Sequence, residues 1–499
     1  MQPRRAALVI LVLVVTLAGS ARVPVRAATV LRYARTTDIF NFDPTQLAIG
    51  NYIMLNQVYN TLVRLDKDLT PKPELAVSWQ FLEQGLVLRL NLRRGVVFHS
   101  GRPFVADDVV YNVRRYQDPQ VGANIRPQAL RIGEARRVDD YTVDLVFRAP
   151  NPAIFDLLDL LYIMDRQAAD RIRTTAAGTG PFRVAERVPG TMTRLVRSDR
   201  YWKRDLPVVD QVELRVVADD PALVANLTSR AVHVIEGPQP IHLVNLEKQR
   251  FRTIMGTNVP LYYDIIMNVQ HRSFRDKRVR QAVDLTIDRE RFVRLFYGGR
   301  TKSAWLPPSL EAAVREAGGV NYPKRDLIHA KALLVAAGYP MGFETALMVP
   351  VGTPGAAALG QIVQSDLAKI GIRVRLELLE LAQIRTRWFN SNYQMSVHTF
   401  GRANRDPSSL LGTAVVFRAQ GNITLFRSDR YTELVDRGAT TLDRRARAAI
   451  YRDIAQMLLD EAFVLTIAPF HTVFAHAPEV EGLDTNLEGM PILEPVRVR

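Results

Sequence analysis

The chain contains no cysteine in its 499 residues. That single gap excludes disulfides, thiolate nucleophiles, thiolate metal sites and a cysteine through which a lipid could anchor the protein. Histidine is scarce, with eight residues, and none pair at the i, i+4 spacing that places two imidazoles on one helix face. Neither a metal nor another cofactor is therefore expected. The chain also lacks a Gly-x-Ser-x-Gly elbow and a His-Glu-x-x-His helix, the usual marks of serine and zinc hydrolases. Aspartate and glutamate are plentiful, so an exported hydrolase working through a carboxylate pair is the competing class. The longest apolar run, Ala6 to Ala18, is about 13 residues, short of the roughly 20 that a membrane helix needs. The formal net charge is +15, yet the cations are spread along the chain without one dominant block or a nucleic-acid motif. A solvated basic surface, with no nucleic-acid partner, is the expectation.

What is present suits a large soluble protein. With 47% apolar and 23% charged residues the composition is globular, and the length exceeds what one core supports, so two to four domains are expected. Arg4 and Arg5 precede the apolar run, and Val25-Arg26-Ala27 offers small residues where a signal peptidase reads. Residues 1–27 thus read as a cleaved signal peptide, cut after Ala27 and directing the protein to the periplasm. Losing Arg4, Arg5, Arg22 and Arg26 with it takes the net charge from +15 to +11.

The most legible stretch is Leu86 to Arg115. Leu86, Leu88, Leu90 and Leu92 alternate with Val87, Arg89 and Asn91, the period of a half-buried strand. Arg93-Arg94-Gly95 turns the chain, Val96 to His99 is expected to return as a second strand, and Ser100 to Pro103 turns again. Asp107 and Asp108 then suit the positive end of a helix through Val109, Val110 and Val113.

Other elements follow in order. Val30 to Ala34 reads as a strand, as do Thr142 to Phe147, Gln211 to Ala218 and Tyr262 to Asn268. Gly178-Thr179-Gly180-Pro181-Phe182 is a tight crossing in which the glycines are expected to supply positive φ. Leu347 to Leu379 has the strand, helix, strand pattern of a parallel βαβ unit. A long helix from Asp443 to Asp460 precedes a strand from Phe463.

These segments carry a resemblance. Leu92 to Pro103 followed by Ala106-Asp107-Asp108-Val109 resembles the signature of the family 5 extracellular solute-binding proteins of ABC importers, the dipeptide and oligopeptide binders. Ser100 and Val105 stand where that family usually has Asp and Thr. Phe42-Asp43-Pro44, Tyr59-Asn60-Thr61-Leu62-Val63, Leu75 to Trp79, Gly178 to Phe182, Tyr201-Trp202 and Asp276 to Ala282 are similar to further family segments in the same order. The resemblance spans nearly the whole mature chain. It implies an α/β, two-lobed periplasmic-binding-protein-like fold of type II with three domains, one of them inserted. Domain I would comprise 28–65, 177–263 and 473–499, domain II the inserted 66–176, and domain III 264–472. The implied partners are a small-molecule or peptide ligand and the membrane subunits of an ABC permease, with the protein itself a monomer and not an enzyme.

The resemblance also places the ligand. Asp38 and Phe40 lie on the loop that follows the first strand, at the cleft. Thr399 to Pro407 is similar to the family's cleft loop ending in Asp-Pro, with Phe400 on it. Peptide binders of this family carry an aspartate four residues before that proline to pair with the ligand's ammonium, and here the position is Ala403. Arg402 and Arg405 beside it could offer bidentate donors to carboxylate or phosphate. The expected ligand therefore bears an anionic or hydroxyl-rich group, with an ordinary peptide as the alternative through Asp406. Trp388 could stack on a planar or sugar-like group.

Overall fold

The computed structural model describes residues 28–47, 49–399 and 406–499. The signal-peptide reading of 1–27 lies outside them, as do Phe400, Arg402 and Arg405.

A mixed ten-stranded sheet runs through the molecule. In spatial order its strands are Arg373–Leu379, Glu344–Pro350, Met395–Thr399, Arg252–Met267, Val464–His476, Val234–Glu236, Val30–Arg35, Gln211–Val216, Met192–Arg197 and Phe182–Val188. The two long antiparallel strands in the middle, Arg252–Met267 and Val464–His476, are shared by both lobes and join them. Along the first of these, Tyr262 and Ile266 enter one core while Tyr263, Ile265 and Met267 enter another. A strand buried on both faces needs a largely apolar run, and Tyr262-Tyr263-Asp264-Ile265-Ile266-Met267 is one broken only by Asp264. The βαβ unit is present as Glu344–Pro350, the helix Ala356–Leu367 and Arg373–Leu379, with its strands paired in parallel.

A separate four-stranded antiparallel sheet, ordered Ala76–Leu82, Val87–Leu92, Thr142–Phe147 and Ile132–Asp139, packs on the helix Ala106–Gln117 around Leu88, Leu90, Val109 and Val143. The expected strand at Val96 to His99 does not form. Val97 and Pro103 make one isolated bridge, Phe98 N donates to Arg102 O at 2.9 Å and Phe104 N to Val96 O at 3.0 Å, and side chains hold the rest of the turn. Arg102 donates to Asp108 Oδ1 at 2.5 Å and to Asp165 Oδ1 at 2.7 Å, and Ser100 Oγ donates to Asp165 Oδ2 at 2.6 Å. Asp108 Oδ2 accepts from Val105 N at 3.0 Å, which closes the helix start. Asp165, a tertiary partner, thus helps to fix this loop.

Gly178 and Gly180 are not in the positive-φ region. Glycine is required there for contact, not conformation, because the crossing runs against the last turn of the helix Ile49–Val58.

One buried cluster ties the strands that join the lobes. Asp264 is fully buried, accepts from Thr466 Oγ1 at 3.0 Å and lies 3.3 Å from His398 Nδ1. Burial raises its carboxyl to about 6, against the hydrogen bonds from His398 and Thr466. The unfolded chain titrates near 3.8. Between those values the folded state holds the extra proton, so stability from this group is present below about pH 4 and lost as pH rises through 6. Asp264→Asn should be more stable than the parent at pH 7.5, by up to about 3 kcal/mol, and should flatten the melting profile between pH 4 and 7. A variant less stable at pH 7.5 would show that the ionised carboxylate is well accommodated.

Candidate functional site

A cavity of about 690 Å³ opens where the two lobes meet at the long strands. One wall comes from the end of the strand Val30–Arg35 and from the loops at Asp219 and Glu236. The other is built from Tyr263, Phe296, Phe470 and the turn at Gly352.

The first wall is polar and rigid. Arg35 Nη2 donates to Glu236 Oε1 at 2.9 Å, Arg35 Nη1 to Gly50 O at 2.7 Å, and Tyr33 OH to Glu236 Oε2 at 2.6 Å. Both charges are nearly enclosed, and a pair so buried persists only because each is neutralised and hydrogen-bonded by the other. Asp219 caps the helix Asp220–Thr228 by accepting from Ala222 N at 2.9 Å. Asp220 holds the neighbouring loop, accepting from Gln239 N at 2.9 Å and lying 2.7 Å from His242 Nε2.

The second wall is aromatic. Tyr263 packs against Phe470 at 5.5 Å between ring centroids and against Phe296 at 6.2 Å, and its hydroxyl donates to Pro354 O at 2.8 Å. Gly355 has φ +73°, and a Cβ there would stand 2.9 Å from the Phe296 ring. This glycine therefore lets the turn approach the aromatic wall. His471 lies 2.7 Å from Thr301 Oγ1, and burial lowers its pKa to about 4, so its ring is neutral at pH 7. Among the described lining residues, three carboxylates (Asp219, Asp220 and Glu236) face one guanidinium, Arg35.

The lobes also touch elsewhere. Arg300 clasps Glu247 through two hydrogen bonds of 2.8 Å. Asp406 N donates to Asp156 Oδ2 at 3.4 Å, joining the four-stranded part to the helix Pro407–Thr413.

Of the residues expected at the ligand, Asp38, Phe40, Trp388 and Asp406 are described, and they are dispersed. Thr37 lines the cavity, but Asp38 next to it turns to the hairpin, accepting from Gly190 N at 2.8 Å and lying 3.4 Å from Arg187. Phe40 is 53% exposed and does not line the cavity. Trp388 is buried in the core with Ile384 and Tyr393, its ring 5.3 Å from that of His398. Asp406 caps its helix, accepting from Ser408 N at 2.8 Å, and is gripped by Arg447 at 2.7 and 2.5 Å. Arg35, Glu236, Tyr263, Phe296 and Phe470 were not singled out from sequence. Glu236 ends a three-residue strand and Tyr263 sits in a run largely apolar on both faces, so neither leaves a periodic signal. Among the described residues no group of three or more His, Asp or Glu could hold a metal ion, and no helix is long and apolar enough to cross a membrane.

A family model described as bacterial extracellular solute-binding proteins, family 5 (middle), matches residues 70–420. Over 470 residues the chain is 28% identical to heme-binding protein A of Haemophilus influenzae, spanning 85% of this chain and 84% of that protein. It is 26% identical over 487 residues to the dipeptide-binding protein of Escherichia coli K12, spanning 88% and 89%. Its fold is similar to that of NikA from Brucella suis in complex with Fe(III)-EDTA, with a TM-score of 0.84 at 22% identity, over 94% of this chain and all of that one.

Proposed function

The chain belongs to the family 5 bacterial extracellular solute-binding proteins, and from that premise we propose that its interlobe cavity captures a small peptide-like solute for delivery to an ABC permease. Relatives are named for binding dipeptides and haem, so membership alone leaves the ligand open. The observation that carries the proposal is the cavity itself. It lies between two lobes that share two long strands, and about 690 Å³ is within the range of small-molecule sites. Its acidic wall suits an ammonium group and its aromatic wall an apolar side chain. The domain division at 28–65, 177–263 and 473–499, with 66–176 inserted and 264–472 opposite, assigns Arg35, Asp219 and Glu236 to one lobe and Phe296, Gly352 and Phe470 to the other, with Tyr263 at the boundary. Ligand would then favour the closed arrangement by contacting both, and the permease would read that closure. The protein works as an exported monomer and breaks no bond in its ligand.

A second reading, an anionic or hydroxyl-rich solute such as an opine, rests on the sequence positions of Arg402 and Arg405, which the family resemblance assigns to a cleft loop. Melting shifts separate the two. Di- and tripeptides with a free amine should stabilise the protein by about 2.7 kcal/mol at 100 times their dissociation constant, and the compound should be recovered intact. A shift with acidic sugar conjugates but not with free-amine peptides would reject the peptide reading. Product formed from the incubated compound would reject the binding-only role.

A further inference from the structure

A second cavity, of about 300 Å³, lies wholly within the first lobe and shares no lining residue with the interlobe cavity. Three distant segments meet there: the helix Ile49–Val58, the hairpin of Val63–Leu65 with Pro71–Pro73, and the C-terminal strands Asp484–Thr485 and Pro491–Ile492.

Its walls hold both signs of charge beside an apolar surface. Glu74 is 6% exposed, and only its Oε1 takes a hydrogen bond, from Asn60 Nδ2 at 2.7 Å. Lys203 lies 3.6 Å from that oxygen and 2.9 Å from Glu494 Oε1. Its Oε2 takes no hydrogen bond and is not fully enclosed, so the carboxylate can still accept from a donor that reaches it. Arg64 is a further cation of the lining, 3.3 Å from Asn56 Oδ1 and 3.8 Å from Asp159, while Lys67 and Lys72 are paired with Asp484 and Asp66. Asn56 Oδ1 also accepts from Tyr162 OH at 2.8 Å. Two donors on that oxygen fix the orientation of the amide, and its Nδ2 is left buried with no partner. Leu65, Pro181 and Ile492 complete the surface.

We propose that this lobe-one cavity binds a free α-amino acid, its ammonium on Glu74, its carboxylate toward Arg64 and Asn56, and its side chain against Leu65 and Ile492. Opposite charges held a short way apart beside an apolar wall select a small zwitterion over a singly charged molecule. Neither lobe closure nor the identity of the interlobe ligand enters this inference.

Saturation-transfer NMR on the whole protein with L-leucine as the probe tests it, with N-acetyl-L-leucine and L-leucinamide each lacking one charge. L-Leucine alone should receive saturation. Its binding should weaken roughly tenfold or more in Glu74→Gln, vanish in Ile492→Trp, which fills the cavity, and persist in Phe296→Ala, which alters the interlobe wall. Should Glu74→Gln fail to fold, Ile492→Trp carries the test. Equal transfer to all three compounds, no transfer to any, or a loss confined to Phe296→Ala would overturn the proposal; the last would place leucine between the lobes.

Discussion

Replacing Gly178 with alanine should destabilise the protein by about 3 kcal/mol or more, the upper range of overpacking. An ideal Cβ at this position would stand 2.0 Å from Val58 O and 2.6 Å from a Tyr59 ring carbon. At Gly180 it would stand 2.5 Å from Gln57 O. Val58 O and Gln57 O are backbone atoms at a helix end, so they cannot rotate away. The crossing is further stitched by Gly180 N donating to Val58 O at 2.9 Å and His99 N donating to Gly178 O at 2.8 Å. His99 Nε2 lies 3.0 Å from Gly180 O, and burial holds its pKa near 4. A methyl that parts these chains loses several hydrogen bonds together. Urea unfolding of Gly178→Ala measures the loss, with Gly133→Ala as the control, since a Cβ there meets nothing nearer than 3.4 Å. Gly178→Ala within 1 kcal/mol of the parent would show that the helix end can yield.

Asp406→Ala should cost about 3–5 kcal/mol, the range for breaking a buried pair by removing one partner. Arg447 is 13% exposed and makes two hydrogen bonds to this carboxylate; without it a guanidinium is left enclosed and a helix start uncapped. Burial pushes the Asp406 carboxyl up, but Arg447 and the donors at Ser408 outweigh it and hold the pKa below the ordinary value. A depressed folded pKa means that the stabilisation is present above the unfolded value near 3.8 and is lost as pH falls through the lower folded one. The parent should therefore lose stability below pH 4 more steeply than the variant does. A ligand role predicts another pattern: reduced affinity with the melting temperature nearly intact. If Asp406→Ala melts with the parent and fails only to bind solute, the cap-and-pair account of this residue is wrong.

The two residues differ in how well sequence prepared for them. Gly178-Thr179-Gly180 stood out as a crossing, but the reason assigned was positive φ. The actual reason is a carbonyl about 120 residues earlier in the chain, which no local pattern announces. Asp406-Pro407 likewise reads as a helix start, which it is, while Arg447 is 41 residues away. The stretch from Leu86 onward divides at the same line. Its strand and its helix follow from alternation and capping, whereas the expected second strand gives way to a loop that Asp165 helps to fix through Arg102 and Ser100.

The sequence by itself determined the family, the α/β class and most elements, because periodicity, caps and turn residues act within a few positions of one another. Only the tertiary structure decided the cavity. Arg35 meets Glu236 across 201 positions, Tyr263 meets Phe470, and Trp388 turns inward while Thr37 lines the cavity. A residue's direction from a two-sided strand or a loop is set by what packs against it, and in a chain of this length those neighbours come from remote segments.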